Sequence, residues 1–333
     1  MPNSYAGADV TPRPSLAHRV EYALLSGAVA IGAALGESGA ARLGGVLGGL
    51  GYWPLGIRRR VVESHLAQAF PERDVAWVRR TAREAYAHLG REMFAMLRLA
   101  RTSREAIIAS TAVIGFDALR AAVDAGRGAI VVTGHLGNWE IGGASLAARG
   151  IPMDVVAQRQ ANPLFDRMVV RARERLGMRV IERSRATKLA LRSLREGRTV
   201  AFVADQDARR AGVFVPFFGR LASTHRGPAL MAVRTGAPLF LGSCLRVGDG
   251  YRITLRQITV REGSGDVDDA VIALTTAFTR GLEEAIRAAP EQYFWHHRRW
   301  KTRPIEEPAR RASGIPECPP APRGRTRRAD PSA

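Results

Sequence analysis

The chain has 333 residues, 46% of them hydrophobic and 24% charged, enough to bury a sizeable core and outside the range of a wholly disordered, collagen-like or coiled-coil protein. Its formal net charge is +19, and because Lys188 and Lys301 are the only lysines, arginine carries nearly all of it. Two cysteines, Cys244 and Cys318, exclude a disulfide framework or an all-cysteine structural zinc site. The guanidinium fork suits phosphate and carboxylate, so nucleic acid, an anionic membrane surface, an acidic carrier and a phosphorylated lipid all fit the charge.

Along the chain, residues 23–35 and 40–55 form two small-residue apolar runs, each shorter than the ~20 uninterrupted residues that span a bilayer. A signal-peptide core would want a basic flank, whereas Asp9 and Glu21 make this one mixed. The runs read instead as an interfacial anchor, with Tyr52 and Trp53 at headgroup level and Arg58, Arg59 and Arg60 facing lipid phosphates. The alternative is a buried Ala/Gly-rich helical hairpin. Helical spacing then runs over 61–99, broken at Pro71, with Glu72, Arg73 and Asp74 signalling a new helix start.

After Ile114 the period changes. Strands are predicted at 129–133, 153–157, 179–181, 199–204 and 239–245, and helices at 139–148, 163–176, 186–195 and 228–234, most of them stopped by a glycine. This alternation predicts an α/β fold with a largely parallel central sheet and flanking helices. Gly248 and Gly250 turn the chain into a β-rich segment at 251–260, read as an added antiparallel strand, and 267–289 is a last amphipathic helix. The segment 213–219 is unusually apolar for a loop and reads either as a buried edge or as a wall for an acyl chain. The domain reading is a helical membrane-associating region at 1–60, an α/β domain at 61–303 with a helical preamble at 61–113, and a disordered basic, Pro-rich tail at 304–333.

The chemistry concentrates in Gly134-His135-Leu136-Gly137-Asn138-Trp139-Glu140, directly after a strand and leading into a helix, where open parallel sheets bind ligands. On a single helix His135 and Glu140 would lie about 140° apart and could not pair. His135 is therefore read as a loop residue, with Asn138 as the helix cap and Glu140 reaching back to the imidazole from the first turn. A histidine steadied by a carboxylate can take a proton from a hydroxyl; taken alone, a turn histidine and a dipole-complementing glutamate would have the same spacing. Nothing places further ligands for a metal here.

Further distinctive motifs lie on both sides of that block. Ala69-Phe70-Pro71-Glu72, Arg159 with Asn162-Pro163-Leu164, Asp205-Gln206-Asp207, Val215-Pro216-Phe217-Phe218-Gly219, Pro290-Glu291-Gln292-Tyr293-Phe294-Trp295 and the run from His296 to Pro304 occur in order. In these motifs the chain resembles the lipid A biosynthesis acyltransferases of the lauroyl/myristoyl type, relatives of the glycerolipid acyltransferases. The resemblance implies transfer of a fatty acyl group from acyl carrier protein or acyl-CoA to a hydroxyl of a glucosamine-based lipid A precursor, with His135 as general base and Glu140 as its partner. It also implies substrate-binding roles for Arg159, Asn162, Arg173 and Asp205, with Asp205 placed to hold Arg173 or orient substrate; Thr224, followed by His225 and Arg226, reads first as a cap for the next helix and second as a substrate-binding residue. Bottom-up chemistry agrees that a hydroxyl attacking a thioester needs a base but no covalent enzyme intermediate, and it calls for no cofactor and no metal. The oxyanion donor, a backbone N–H at the helix start or an arginine, is left open.

Within the same superfamily the alternative acceptor is a phosphatidylinositol mannoside or another glycolipid, for which aspartate rather than Glu140 is expected. The alternative of another class is a non-catalytic basic protein that binds membrane or nucleic acid. Tyr293, Trp295 and Trp300, interleaved with His296, His297, Arg298 and Arg299, read as a surface stripe for a membrane, a phosphorylated glycan or stacked bases. The enzyme reading carries no nucleic-acid partner and places the protein on the cytoplasmic face of the inner membrane, peripheral or monotopic.

Overall fold

The structure is a computed structural model and describes residues 13–260 and 266–304. Residues 305–333, nearly all of the tail expected to be disordered, lie outside the described residues. The chain opens with five helices: α1 (Leu16–Ala34), α2 (Gly36–Tyr52), α3 (Arg59–Ala69), α4 (Val75–Arg98) and α5 (Arg104–Ala109). Asp74 caps α4 by accepting the Trp77 N–H at 2.7 Å, and Ser103 caps α5 by accepting that of Ala106 at 3.1 Å.

The α/β part then runs β1 (Thr111–Ile114), α6 (Phe116–Asp124), β2 (Ala129–Thr133), α7 (Trp139–Ala148), β3 (Met153–Ala157), α8 (Pro163–Arg175), β4 (Met178–Glu182), α9 (Ala186–Arg195) and β5 (Thr199–Val203). It continues with β6 (Val213–Phe217), β7 (Arg220–Thr224), α10 (Gly227–Thr235), β8 (Leu239–Val247), β9 (Gly250–Ile258) and α11 (Val267–Ala288). Seven strands form one sheet in the order β1-β9-β8-β2-β5-β3-β4. Every pairing in it is parallel except β8 with β9, the hairpin predicted at Gly248. Central β2 packs both faces: Ile130 and Val132 enter one core cluster, Ala129 and Val131 the other. That two-sided burial is what a near-continuous apolar run in a parallel strand requires.

The N-terminal helices are joined to the rest by close packing. A β-carbon on Gly48 of α2 would lie 2.0 Å from the Tyr86 carbonyl oxygen, and one on Gly90 of α4 would lie 1.9 Å from that of Gly44. The two helices thus meet backbone to backbone, and a larger residue must force them apart. Gly90→Val is expected to destabilise the fold by about 1–3 kcal/mol, measured by thermal or denaturant unfolding against the parent. Leu24 of α1 (72% exposed), Val46 of α2 (63%) and Trp53 just after α2 (69%) face outward. Among the described residues, no helix is long and apolar enough to cross a membrane.

Several expectations change. Tyr52 is not at the surface: it is buried and donates to Glu63 Oε1 at 2.7 Å, leaving Trp53 exposed. Arg58 donates to the His296 carbonyl at 3.1 Å and Arg59 to Glu63 at 2.8 Å, so two of the three arginines expected to face lipid have intramolecular partners. The segment 213–219 is the first arm of the antiparallel β6–β7 hairpin; with Val215, Phe217 and Phe218 buried in the core it is an edge rather than an acyl wall. Tyr293, Trp295, Trp300, His296 and Arg299 are buried too. The short 3-10 turn Pro290–Gln292 folds them back so that Tyr293 bridges Leu136 and the rings pack with Phe217 and Phe218. This is a core cluster, not an exposed aromatic stripe.

Candidate active site

The site forms where two neighbouring parallel strands end. Thr133 of β2 is in register with Val203 of β5, so His135 and Asp205 each follow two residues beyond paired positions. The Asp205 carboxylate clamps His135 twice: Oδ1 lies 2.7 Å from the ring Nδ1, and Oδ2 accepts the backbone N–H at 2.8 Å. On the other side of the ring, the Gln206 amide nitrogen is 3.2 Å from Nε2. An amide nitrogen only donates, so Nε2 is an acceptor and Nδ1 carries the hydrogen that Asp205 receives. The side chain of His135 is 17% exposed and that of Asp205 3%.

Burial alone would raise the Asp205 carboxyl. The His135 charge, its ring and backbone hydrogen bonds and the more remote Arg299 outweigh burial and bring the group down to about 2. The folded value lies below the ordinary carboxylate value of 3.8, so the stabilisation is complete above about pH 4 and is lost as pH falls through about 2. Asp205→Asn is therefore expected to flatten the acid side of the stability profile, by on the order of 2 kcal/mol, in melting curves between pH 2 and 6.

Glu140 does not partner His135. It receives two hydrogen bonds from Arg173, Nε to Oε2 at 3.0 Å and Nη2 to Oε1 at 2.6 Å, and both side chains are largely buried. The expected partners are thus exchanged: Asp205 serves the imidazole and Arg173 serves Glu140. The cause is geometric. Asn138 begins α7 by accepting the Ile141 N–H, and Glu140 in that first turn meets the last turn of α8, where Arg173 lies.

A cavity of about 810 Å3 adjoins these groups. His135, Glu140, Arg173, Gln206, Arg159 and His225 contribute to its walls, and Met93, Met96, Leu146, Met153, Met178 and Leu255 supply an apolar lining. Its size suits a flexible apolar ligand with a few polar contacts. Arg159 also pairs with Glu182 at 3.1 Å. Two other expected site residues have structural partners. Asn162 caps α8 through the Leu164 N–H and reaches α1, donating to Glu21 Oε2 and the His18 carbonyl at 2.9 Å each. Thr224 is buried and accepts from Arg299 at 2.5 Å, while Arg226 occupies the cap position of α10. Gln206 is the site residue whose contact was not foreseen; its place directly after a strand-end aspartate was the available signal.

The loop itself is held tightly. Gly137 has φ +60°, and a β-carbon there would fall 1.9 Å from the Cys244 carbonyl oxygen, so the turn demands glycine. Phe294 donates its N–H to the His135 carbonyl at 2.9 Å.

An imidazole held by a buried carboxylate at the edge of an apolar cavity is an arrangement that can take a proton from a hydroxyl. Residues 13–302 match the bacterial lipid A biosynthesis acyltransferases, and the chain belongs to that family of acyltransferases. It is 30% identical over 275 residues to the lipid A biosynthesis lauroyltransferase of Escherichia coli, covering 81% of this chain and 87% of that one. It is 35% identical over 208 residues to the phosphatidylinositol mannoside acyltransferase of Mycolicibacterium smegmatis, covering 61% and 67%. It is also 31% identical over 197 residues to the lipid A biosynthesis palmitoleoyltransferase of E. coli, covering 58% and 62%.

Proposed function

We propose that the enzyme transfers a fatty acyl group from a thioester donor, acyl carrier protein or acyl-CoA, to a hydroxyl of a glucosamine-based lipid A precursor, with His135 as general base. The observation that carries this reading is the Asp205–His135 contact of 2.7 Å beside the apolar cavity. The acceptor hydroxyl displaces the Gln206 amide from Nε2 and gives up its proton there as its oxygen attacks the thioester carbonyl. Asp205 stabilises the imidazolium that forms. When the tetrahedral adduct collapses, the C–S bond breaks and the departing thiolate takes the proton from Nε2, leaving a new ester and a free thiol. Glu140 and Arg173, locked together in the cavity wall, hold that wall in shape beside the reacting atoms.

The acyl chain occupies the methionine-rich part of the cavity. The outward apolar side chains of α1 and α2 rest in the cytoplasmic leaflet of the inner membrane, and the arginine excess favours anionic lipid and an acidic carrier. Each large apolar side chain buried is worth about 1.5–3 kcal/mol. Leu24→Ser combined with Trp53→Ser should therefore weaken sedimentation with vesicles containing anionic phospholipid by at least tenfold. Unchanged binding would count against this mode of attachment.

The identity to the mycobacterial enzyme supports a second acceptor, a phosphatidylinositol mannoside. Mass spectrometry of glycolipids from cells with and without the gene separates the two. The expected result is lipid A lacking one acyl chain when the gene is absent. A change confined to mannosylated lipids would move the acceptor to the second reading, and an unchanged acylation profile with folded protein present would defeat both.

A further inference from the structure

A buried carboxylate on a helix outside the sheet grips the middle of the catalytic loop. Glu92 of α4 is only 6% exposed, yet its two oxygens serve three side chains from three other elements. Oε2 accepts from Asn138 Nδ2 and from the Tyr251 hydroxyl, each at 2.8 Å, and Oε1 accepts from Arg246 Nε at 2.6 Å. Arg246 is its charge partner: His88, 3.8 Å from Oε1, is driven by burial down to about 4 and is neutral at physiological pH.

Asn138 occupies the decisive place. Its other side-chain atom, Oδ1, caps α7, with His135 three residues before it and Glu140 two residues after. Asp205 holds the ring and N–H of His135 and Phe294 holds its carbonyl; between His135 and α7 the loop is also tied by Gly137 N–H to the Gln292 carbonyl and Asn138 N–H to the Cys244 carbonyl, both 2.8 Å. Gln292 is in turn held on the Arg246 main chain, by the N–H at 2.9 Å and the carbonyl at 3.1 Å. Glu92 therefore sits where the side-chain restraint on Asn138 and the chain of restraints through Arg246 and Gln292 meet.

We propose that Glu92 is a positioning residue for the acyl transfer: through Asn138 it sets where the loop presents His135. This rests on the reading of His135 as general base. A whole buried ion pair contributes little net stability compared with apolar packing, but removing Glu92 alone leaves the Arg246 charge unpaired, so activity is read per folded molecule. Misplacing a base by about 1 Å can cost on the order of a hundredfold in rate.

The test is a double-variant cycle of Glu92→Gln and Asn138→Ser in the full-length protein, assayed for acyl transfer from an acyl thioester beside wild type and His135→Ala. Serine at 138 retains the cap of α7, but its single hydroxyl oxygen has no second atom to reach Glu92 from the Nδ2 position. Each single variant is expected to lose roughly tenfold to a hundredfold in kcat per folded molecule, with the KM for the acyl donor within about twofold. The double variant should be no worse than the poorer single one, because both act on the same Glu92–Asn138 contact. Should Glu92→Gln fail to fold, Asn138→Ser alone carries the test through its kcat and KM. Losses that multiply, or a lower melting temperature with kcat per folded molecule unchanged, would overturn the role of Glu92. An active His135→Ala enzyme would instead overturn the reading beneath it.

Discussion

Asp205→Asn is expected to lower kcat by about 10²–10⁴ while the protein stays folded at neutral pH. The argument lies in two hydrogen bonds. The His135 backbone N–H, now held by a carboxylate oxygen at 2.8 Å, will claim the asparagine carbonyl oxygen. The amide nitrogen is then turned toward the ring Nδ1, which must become an acceptor. That transfers the ring hydrogen to Nε2, the nitrogen that receives the hydroxyl proton in the proposed mechanism, and sets it against the Gln206 amide, itself a donor. The variant thus keeps the shape of the site but holds the wrong tautomer. Single-turnover transfer from an acyl thioester measures the loss, and a rate within about threefold of wild type would refute the dyad.

His135→Ala should be at least as damaging, about 10²–10⁴ in kcat and at the limit of detection in a cellular complementation assay. Its ring is 17% exposed and its main-chain links to Asp205 and Phe294 survive the substitution, so the fold and the donor KM should change little. The two variants act on one unit, and combining them should cost no more than His135→Ala alone. A further loss in the double variant would mean that Asp205 has a separate task. Residual turnover by His135→Ala comparable with wild type would remove the general-base mechanism altogether.

Much of the fold was legible because local signals agreed. Residues 129–133, 139–148, 153–157 and 186–195 were bounded as observed, each by a change of period or a terminating glycine. The shorter pieces were not. The four residues of β1 are a strand only because β9 lies beside them, a contact between residues some 140 positions apart in the chain. Pro216 inside β6 and the two-residue turn at Phe218 and Gly219, both at positive φ, hide the hairpin from any propensity argument. The site followed the same pattern. Sequence brought His135, Glu140, Arg173 and Asp205 to one end of the sheet, but which acid meets the imidazole is decided by the register of β2 against β5 and by where α8 ends. Neither is encoded in the spacing of His135 and Glu140. The aromatic segment from Tyr293 to Trp300 misled because an interleaved pattern does not reveal which side faces inward.

The backbone contact between Gly44, Gly48 and Gly90 bears on how such an enzyme is handled at the bench. Cutting the chain ahead of residue 60 would strip the cover from Tyr86 and Phe94 and trade one greasy surface for another. Under the proposed attachment to lipid, a detergent-free preparation is better sought by recolouring the outer side of the first two helices, at Leu24, Ile31 and Val46, and Trp53 just beyond them, with the inner glycine ridge untouched.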